Sequence, residues 1–399
     1  MTRPALVLFD DDVARRWRPF ILTRPAGELL FGTRTLRRRA ERSLGLECVG
    51  HVADPVLEDF DEAWAPPVLS MARLAQPEGF EGGAVFLLSR FAADPADLPQ
   101  APALLMSDGR VVGIRLAPGA RPPDEHFFRE PDARAPDLPG HELSGQLLGR
   151  SWELMSGNAE RTARDLAAVG DDPLPDTVYR VGDGVVSLGR HVKLAPGVVL
   201  DTTSGPIRLD DGAQVGPFTY LVGPAYVGPG SSLLGGPFHS VSIGPHCKVH
   251  GEMEETVVLG YSNKAHDGFL GHAYVGMWVN LGALTTNSDL KNNYGPVRVW
   301  TPDGEVDTGE SKVGCFLGDH VKTAIGTMIN TGTVIEAGTN IFGGMPPKYV
   351  PPFSWGDPDT AYGFDRFIAT ANTVMARRGI ELTEPARRQL RAAWEAVRG

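Results

Sequence analysis

Aliphatic residues recur at every sixth position through much of the second half of this chain, a period that few folds can satisfy. One run is Leu188, Leu194 and Leu200, and a second is Leu209, Val215, Leu221, Val227 and Leu233. A third reads Val257, Asn263, Phe269, Val275 and Leu281, and a fourth reads Leu317, Thr323, Ile329, Ile335 and Ile341. Glycine directly follows the repeat position at 189, 216, 228, 244, 276, 282 and 318. With 42% of residues hydrophobic, five chosen positions would all be apolar in about one case in eighty, and repeated runs compound the improbability. A six-residue period fits neither the 3.6-residue turn of an α-helix nor the two-residue alternation of a strand. It fits a triangular coil with one inward side chain per face and a turn at each corner, successive coils stacking as parallel strands about 4.8 Å apart.

The expected architecture is an α/β N-terminal domain, then a left-handed parallel β-helix of hexapeptide repeats, then a short C-terminal helical cap. The hand is taken from the hexapeptide pattern, not from energetics. The expected boundaries are 1–140 for a nucleotidyltransferase-like domain, 141–181 for a linker and helix, 182–356 for an acyltransferase-like β-helix and 357–399 for the C-terminal helices. Residues 5–9 read as a buried strand and 32–44 as a basic amphipathic helix. Its Arg34, Arg37, Arg38, Arg39 and Arg42 form a solvated face or, less in keeping with the rest, a polyanion site. Residues 103–106 and 111–116, joined across Ser107-Asp108-Gly109-Arg110, read as a hairpin. Pro-rich spacers and Asp171-Asp-Pro-Leu-Pro-Asp176 break the chain before the repeats. The long interval between Asn287 and Cys315 must leave the stack at a corner and project from it. Beyond 357, residues 361–378 and 383–397 read as helices, with Thr383 starting the second.

Composition narrows the function. A net charge of −11 argues against a nucleic-acid groove, which needs a basic surface to neutralise phosphates. Cys48, Cys247 and Cys315 are too widely spaced for a disulfide framework or a zinc site. The opening residues do not have the pattern of a signal peptide, and no run reaches the ~18 apolar residues of a membrane span. The expected location is cytoplasmic, with no membrane and no nucleic acid as partner.

The chemistry concentrates in 262–294. Asn263 takes an inward repeat position, where its amide must find partners or cost a few kcal/mol. His266 sits at a corner beside Lys264 and Asp267. Asn280, Lys291, Asn292, Asn293 and Tyr294 converge on the same side of the excursion. Imidazole is the natural general base for an amine nucleophile, while amides and a lysine suit sugar hydroxyls and a phosphate. The bland alternative is that the asparagines stabilise corner turns and His266 is a solvent-facing loop residue.

His266-Asp-Gly-Phe-Leu-Gly271, followed by Val275-Gly276 and Val279-Asn-Leu-Gly-Ala283, resembles the H-x-x-Y-L-G and V-N-I-G-A-G motifs of GlmU acetyltransferase domains. The fuller string, from Gly260-Tyr-Ser-Asn-Lys264 to Leu290-Lys-Asn-Asn-Tyr-Gly295, resembles a divergent branch of GlmU-like sugar nucleotidyltransferases. The resemblance implies a homotrimer with acetyl-CoA as co-substrate and an amino-sugar 1-phosphate such as glucosamine 1-phosphate, bound between coils of neighbouring subunits. His266 would then deprotonate the attacking amine, Asn280 would hold it and Asn293 or Tyr294 would contact the sugar. Ala283 would lie along the pantetheine arm, and Asn263, Lys264 and Lys291 complete the expected substrate set. Two departures stand out. The family tyrosine is Phe269 here, and the family's phosphate-binding lysine is replaced within Met253-Glu254-Glu255.

Residues 18–29 look like the L-x-P-L-T-x-x-x-P-K-x-L stretch of sugar-nucleotide pyrophosphorylases, with Arg24 a candidate substrate-binding residue. The glycine-rich phosphate loop of that family is absent, because Asp10, Asp11 and Asp12 stand where its glycines belong. Those aspartates are either three solvated surface carboxylates or, less often, holders of Mg²⁺ with a nucleoside triphosphate. The leading expectation is a sugar-phosphate transferase that performs acetyl transfer, nucleotidyl transfer or both. The alternatives are nucleotidyl transfer alone, with the β-helix as an oligomerisation scaffold, and a catalytically inactive binding or assembly protein.

Overall fold

In the computed structural model, which describes residues 3–76, 79–342 and 344–399, the chain begins with a six-stranded mixed sheet. Its first strand, Ala5–Phe9, is buried along its whole length and lies parallel to both Cys48–Val52 and Ala84–Leu88. Such two-sided cover is what a run of five apolar residues requires. The expected hairpin is present as Ala103–Ser107 against Arg110–Leu116. Its two turn residues, Asp108 and Gly109, both have positive φ, 49° and 73°, the type I′ geometry that matches the twist of the flanking strands.

The basic segment forms the helix Leu36–Leu44, with Thr35 accepting from the Arg38 amide and Gly45 closing it in the left-handed region. The arginines divide: Arg38 and Arg42 are exposed on the expected solvated face, Arg34 is half-buried, and Arg37 and Arg39 turn inward. Arg37 and Arg39 are buried, Arg37 against Glu28 and Glu41, and Arg39 against Asp165 at 2.6 Å. Burial would raise the Asp165 carboxyl, but hydrogen bonds from Arg39 and Thr33 outweigh it and hold the group at about 2. Arg39 and Arg34 brace the helix against Asp165 of Asn158–Leu166, and Arg37 braces it against Glu28. Three-residue spacing in sequence could not reveal a carboxylate more than a hundred residues away.

From Tyr179 the chain winds into a left-handed parallel β-helix. One face is a nine-stranded parallel ladder running in chain order from Val186–Leu188 to Tyr349–Val350. The second face runs from Lys193–Leu194 through Asn263–Lys264 to Ser354–Trp355, and the third from Tyr179–Val181 through Leu270–Gly271 to Met328–Ile329. Repeat positions stack as the period requires, Leu209 between Leu188 and Val227, and Leu221 between Leu200 and Phe238. Leu200, Leu209, Leu221, Val227 and Leu233 are wholly buried. Truncating Leu221 to alanine is expected to cost about 2–5 kcal/mol, because neighbouring coils cannot collapse into the void. A loss below about 1 kcal/mol in denaturant unfolding would show the stack to be loosely packed at that coil. The open first coil is capped by the acidic linker: Asp171 accepts from the Val186 amide and Asp172 from the Leu188 amide, at 2.8 and 2.7 Å. This satisfies donors that an exposed edge would otherwise present.

The interval after Asn287 does not project freely as expected. It forms an antiparallel hairpin, Arg298–Thr301 with Gly304–Asp307, folded back so that Val297 and Val299 are buried and Trp300 stacks on Tyr349 at 3.6 Å. The C-terminal helices are Phe364–Ala376 and Glu384–Arg398, the second capped by the Thr383 hydroxyl accepting from the Ala386 amide. All three cysteines are buried and unpaired. No described helix is long and apolar enough to cross a membrane.

The two halves share one core. Residues 17–31 pack against the first face, with Phe20 on Tyr274 and Phe316, and the Tyr274 hydroxyl donating to the Leu30 carbonyl at 3.0 Å.

Candidate functional site

Coil length sets which side chains enter the solenoid around His266. Ile243 pairs with Val258 fifteen residues on, and Val258 with Val275 seventeen residues on, so the coils here are shorter than three full hexads. The inward series is therefore Val258, Lys264, Leu270, not Val257, Asn263, Phe269. A one-residue slip turns every side chain over. Asn263 pairs with outward-facing Lys248, and Lys264 stands over Val249 in the interior.

Lys264 enters an apolar prism, and among the described residues no carboxylate pairs with its ammonium. Its Nζ donates to the carbonyls of His250 and His266 at 2.9 and 3.0 Å. Burial, opposed only in part by Asp267, pushes it down to about 8. The folded pKa thus lies below that of the unfolded lysine, so the unfolded chain binds more protons between pH 8 and about 10.5 and stability rises through that window. Below pH 8 the full penalty of the buried charge applies. Denaturant midpoints measured from pH 7.5 to 10 should show this rise, and Lys264→Met should reduce it, leaving the share of Lys322, which burial pushes down to about 8 as well; an equal slope in the variant would sink the assignment.

His266 is exposed on the corner between Asn263–Lys264 and Leu270–Gly271. Asp267 accepts from or pairs with His250 Nε2 at 2.9 Å. The corner rests directly on the next coil: the Leu284 amide donates to the Asp267 carbonyl at 3.0 Å. A Cβ on Gly268 would meet the Thr285 carbonyl oxygen at 2.1 Å, at φ +127°, so this position requires glycine. Ala283 stands on that adjoining corner, its carbonyl accepting from the Gly326 amide. Asn263 and Asn280 meet on the second face, where Asn263 Nδ2 donates to Asn280 Oδ1 at 3.0 Å, and the row continues to Lys322.

Lys291, Asn293 and Tyr294 do not converge on these residues within one chain. They lie on the loop after Thr286–Asn287, at the far end of the third face from the His266 corner. Lys291 donates to the Pro296 carbonyl, Asn293 Oδ1 accepts from the Gly295 amide, and Tyr294 is 75% exposed. Beside this loop lies a cluster that period counting missed. His272 Nδ1 pairs with Asp289 at 2.8 Å, and its Nε2 faces Glu255 at 3.6 Å. Lys312 pairs with Glu254 at 2.9 Å, so the acidic pair that looked bare in sequence is partly neutralised. The signal was obscured because Lys312 reaches Glu254 only after the hairpin folds back.

The N-terminal candidates are closed to ligands. Arg24 is 2% exposed, with Nε donating to Asp319 Oδ2 at 2.8 Å and its other nitrogens gripping Glu62. Burial alone would lower this guanidinium, and the Asp319 and Glu62 charges outweigh it and raise it. It is a strut between domains, not a substrate contact. Asp10 and Asp11 are not surface residues: Asp10 accepts from Ser89 and the Ala26 amide, and Asp11 is gripped by Arg90 at 2.7 Å. Asp12 pairs with Arg129. The oxygens of Asp10 and Asp11 are committed, and among the described residues no group of three His, Cys, Asp or Glu is disposed to hold a metal. The aspartates do not fit Mg²⁺.

Residues 6–172 match the family described as sugar nucleotidyl transferase. The bifunctional protein GlmU of Acaryochloris marina is 30% identical over 165 residues, 39% of this chain and 31% of that protein. A bifunctional sugar-1-phosphate nucleotidylyltransferase/acetyltransferase of Sulfurisphaera tokodaii is 31% identical over 23% of each chain. GlmU of Corynebacterium glutamicum is 29% identical over 293 residues, 64% of this chain and 54% of that protein. The matched region spans between about a quarter and a half of the length of these relatives.

Proposed function

We propose that this chain is a transferase of a divergent GlmU-like family and that acyl transfer from acetyl-CoA to an amino-sugar 1-phosphate takes place at the solenoid corner bearing His266. The carrying observation is that corner itself: an exposed imidazole on a rigid turn, with the Asn263–Asn280 pair on the adjoining face and Ala283 one coil away. The His266 imidazole accepts a proton from the acceptor's ammonium or attacking amine. The amine nitrogen forms a bond to the acetyl carbonyl carbon, the carbon–sulfur bond breaks, and the thiolate leaves as CoA and takes up a proton. Asn280 orients the amine, and backbone N–H groups of the stacked corners serve the developing oxyanion. Ala283, small and at the edge of the corner, leaves room for the pantetheine arm.

A neighbouring solenoid in a homotrimer would bring Asn293, Tyr294 and Lys291 to this corner, because one chain holds them at the far end of the third face. The test supplies purified protein with acetyl-CoA and a panel of hexosamine 1-phosphates and follows release of CoA thiol. Absence of turnover with every acceptor sinks acyl transfer.

Nucleotidyl transfer is the second reading. It is favoured by the match over residues 6–172 and by a cleft of about 490 Å³ beside Asp12, Arg16, Arg150 and Trp152. Against it stands the committed state of Asp10, Asp11 and Arg24, which leaves no phosphate cradle at the carboxyl end of Ala5–Phe9, where such sheets bind nucleotides. Pyrophosphate release from a nucleoside triphosphate and a sugar 1-phosphate, unchanged in His266→Ala, would establish it instead.

A further inference from the structure

The second face of the solenoid and the end of helix Phe364–Ala376 enclose a cleft of about 620 Å³. Every charged residue lining it is a cation: Lys248 and Lys322 from the face, Arg377 and Arg378 from the helix end. In a chain of net charge −11, four cations without a lining carboxylate are a marked segregation. Lys322 donates to the His320 carbonyl at 3.1 Å and Arg378 to the His246 carbonyl at 2.9 Å. Those contacts orient the cations without neutralising them. Burial pushes the Lys322 ammonium down to about 8, and no neighbouring charge offsets it.

The rest of the lining suits the organic part of a ligand. Tyr261 and Trp278 stack on one another with ring centroids 4.4 Å apart and form an apolar wall. Asn263 donates to Asn280 Oδ1, which leaves Asn280 Nδ2 as a donor without a partner among the described residues. Convergent donors on a partly apolar wall are the general form of a small-molecule site, and guanidinium and ammonium groups together match the oxygens of a phosphate.

We propose that this cleft binds a phosphate ester, with Lys322, Arg377, Arg378 and Lys248 on the phosphate and the Tyr261–Trp278 wall against the carbon skeleton. Asn263, on its rim, lies three residues before His266, so a phosphate anchored here leaves the attached group beside that corner. The chain thereby holds its anion on the second face, away from Glu254 and Glu255 on the third. Naming the ligand as the acceptor of acyl transfer rests on the reading above; the phosphate site rests on charge and shape alone.

Calorimetry on the full chain at low salt tests it with inorganic phosphate, glucosamine 1-phosphate and desulfo-CoA as probes. At least one should bind, and Arg377→Gln with Arg378→Gln should weaken it by about tenfold or more. Lys322→Met should weaken it similarly, while Lys193→Gln, on the same face but several coils away, should stay within about twofold. Tighter binding of glucosamine 1-phosphate identifies the acceptor, and tighter binding of desulfo-CoA identifies the donor's phosphates; both support the site. The helix-end arginines lie at the surface, so their loss leaves folding intact and keeps the test decisive. No binding by any probe, or binding indifferent to both the arginine pair and Lys322, overturns the proposal. Phosphate binding without CoA release would sink acyl transfer and leave the cleft standing, and turnover with an unchanged KM in Lys322→Met and the arginine variant would do the opposite.

Discussion

Asp319→Asn should destabilise the protein by about 3 kcal/mol or more, as expected for removing one partner of a buried ion pair. Asp319 is 2% exposed and serves three donors at once. Its Oδ2 accepts from Arg24 Nε and the Thr23 hydroxyl at 2.8 Å each, and its Oδ1 accepts from the Met277 amide at 2.7 Å. An asparagine keeps the shape but removes the charge that offsets a guanidinium buried to the same degree, and it turns an NH₂ toward one of those donors. Glu62 remains to hold the far side of Arg24 at 2.9 Å, which keeps the expected loss at the lower end of the range for a broken buried pair. Because the pair joins residues 17–31 to the solenoid, the loss should read as an earlier first transition in denaturant unfolding. A shift worth less than about 1 kcal/mol would mean that water reaches Arg24 and that the two halves are held together by their apolar contacts alone.

His266→Ala is expected to lower acetyl-transfer turnover by roughly 10²–10⁴-fold, the range for loss of a positioned general base, with KM for acetyl-CoA little changed. The side chain is exposed and carries no hydrogen bond among the described residues, while its carbonyl, which Lys264 uses, survives the substitution. Folding and assembly should therefore be unaffected, and sedimentation should give the same mass for both proteins. Restoration of turnover in the variant by added imidazole, or by raised pH that deprotonates the amine unaided, would mark the defect as one of proton transfer. A reduction under about threefold would remove His266 from the chemistry and move attention to the His272–Asp289 pair, whose imidazole lies between two carboxylates.

These two expectations rest on different kinds of information. The corner bearing His266 was legible because a coil of the solenoid is a local object: its inward positions, its turns and its motif all fall within about twenty residues. The Asp319 network was not legible, since Thr23 and Arg24 meet Asp319 almost three hundred residues on. The same limit explains why three adjacent aspartates read as surface when Asp11 is in fact held by Arg90, and why an arginine-rich helix read as solvated when Arg39 is held by Asp165. A buried charge is recognisable only by its partner, and sequence spacing does not name that partner.

By itself the sequence determined the architecture: a hexad period repeated over many coils leaves the triangular parallel stack as the arrangement that turns recurring aliphatic positions inward, and Asp108-Gly109 between two apolar runs marks the hairpin. Only the tertiary structure decided which residue of the pair Asn263 and Lys264 enters the core, because the seventeen-residue coil from Val258 to Val275 is one short of three hexads, and one step exchanges inside for outside. It alone also decided that Arg24 is a strut and that Lys248, Lys322, Arg377 and Arg378 share one cleft. Those outcomes depend on how separate coils, a returning helix and a docked N-terminal layer are brought together in space, and a local period carries no record of that.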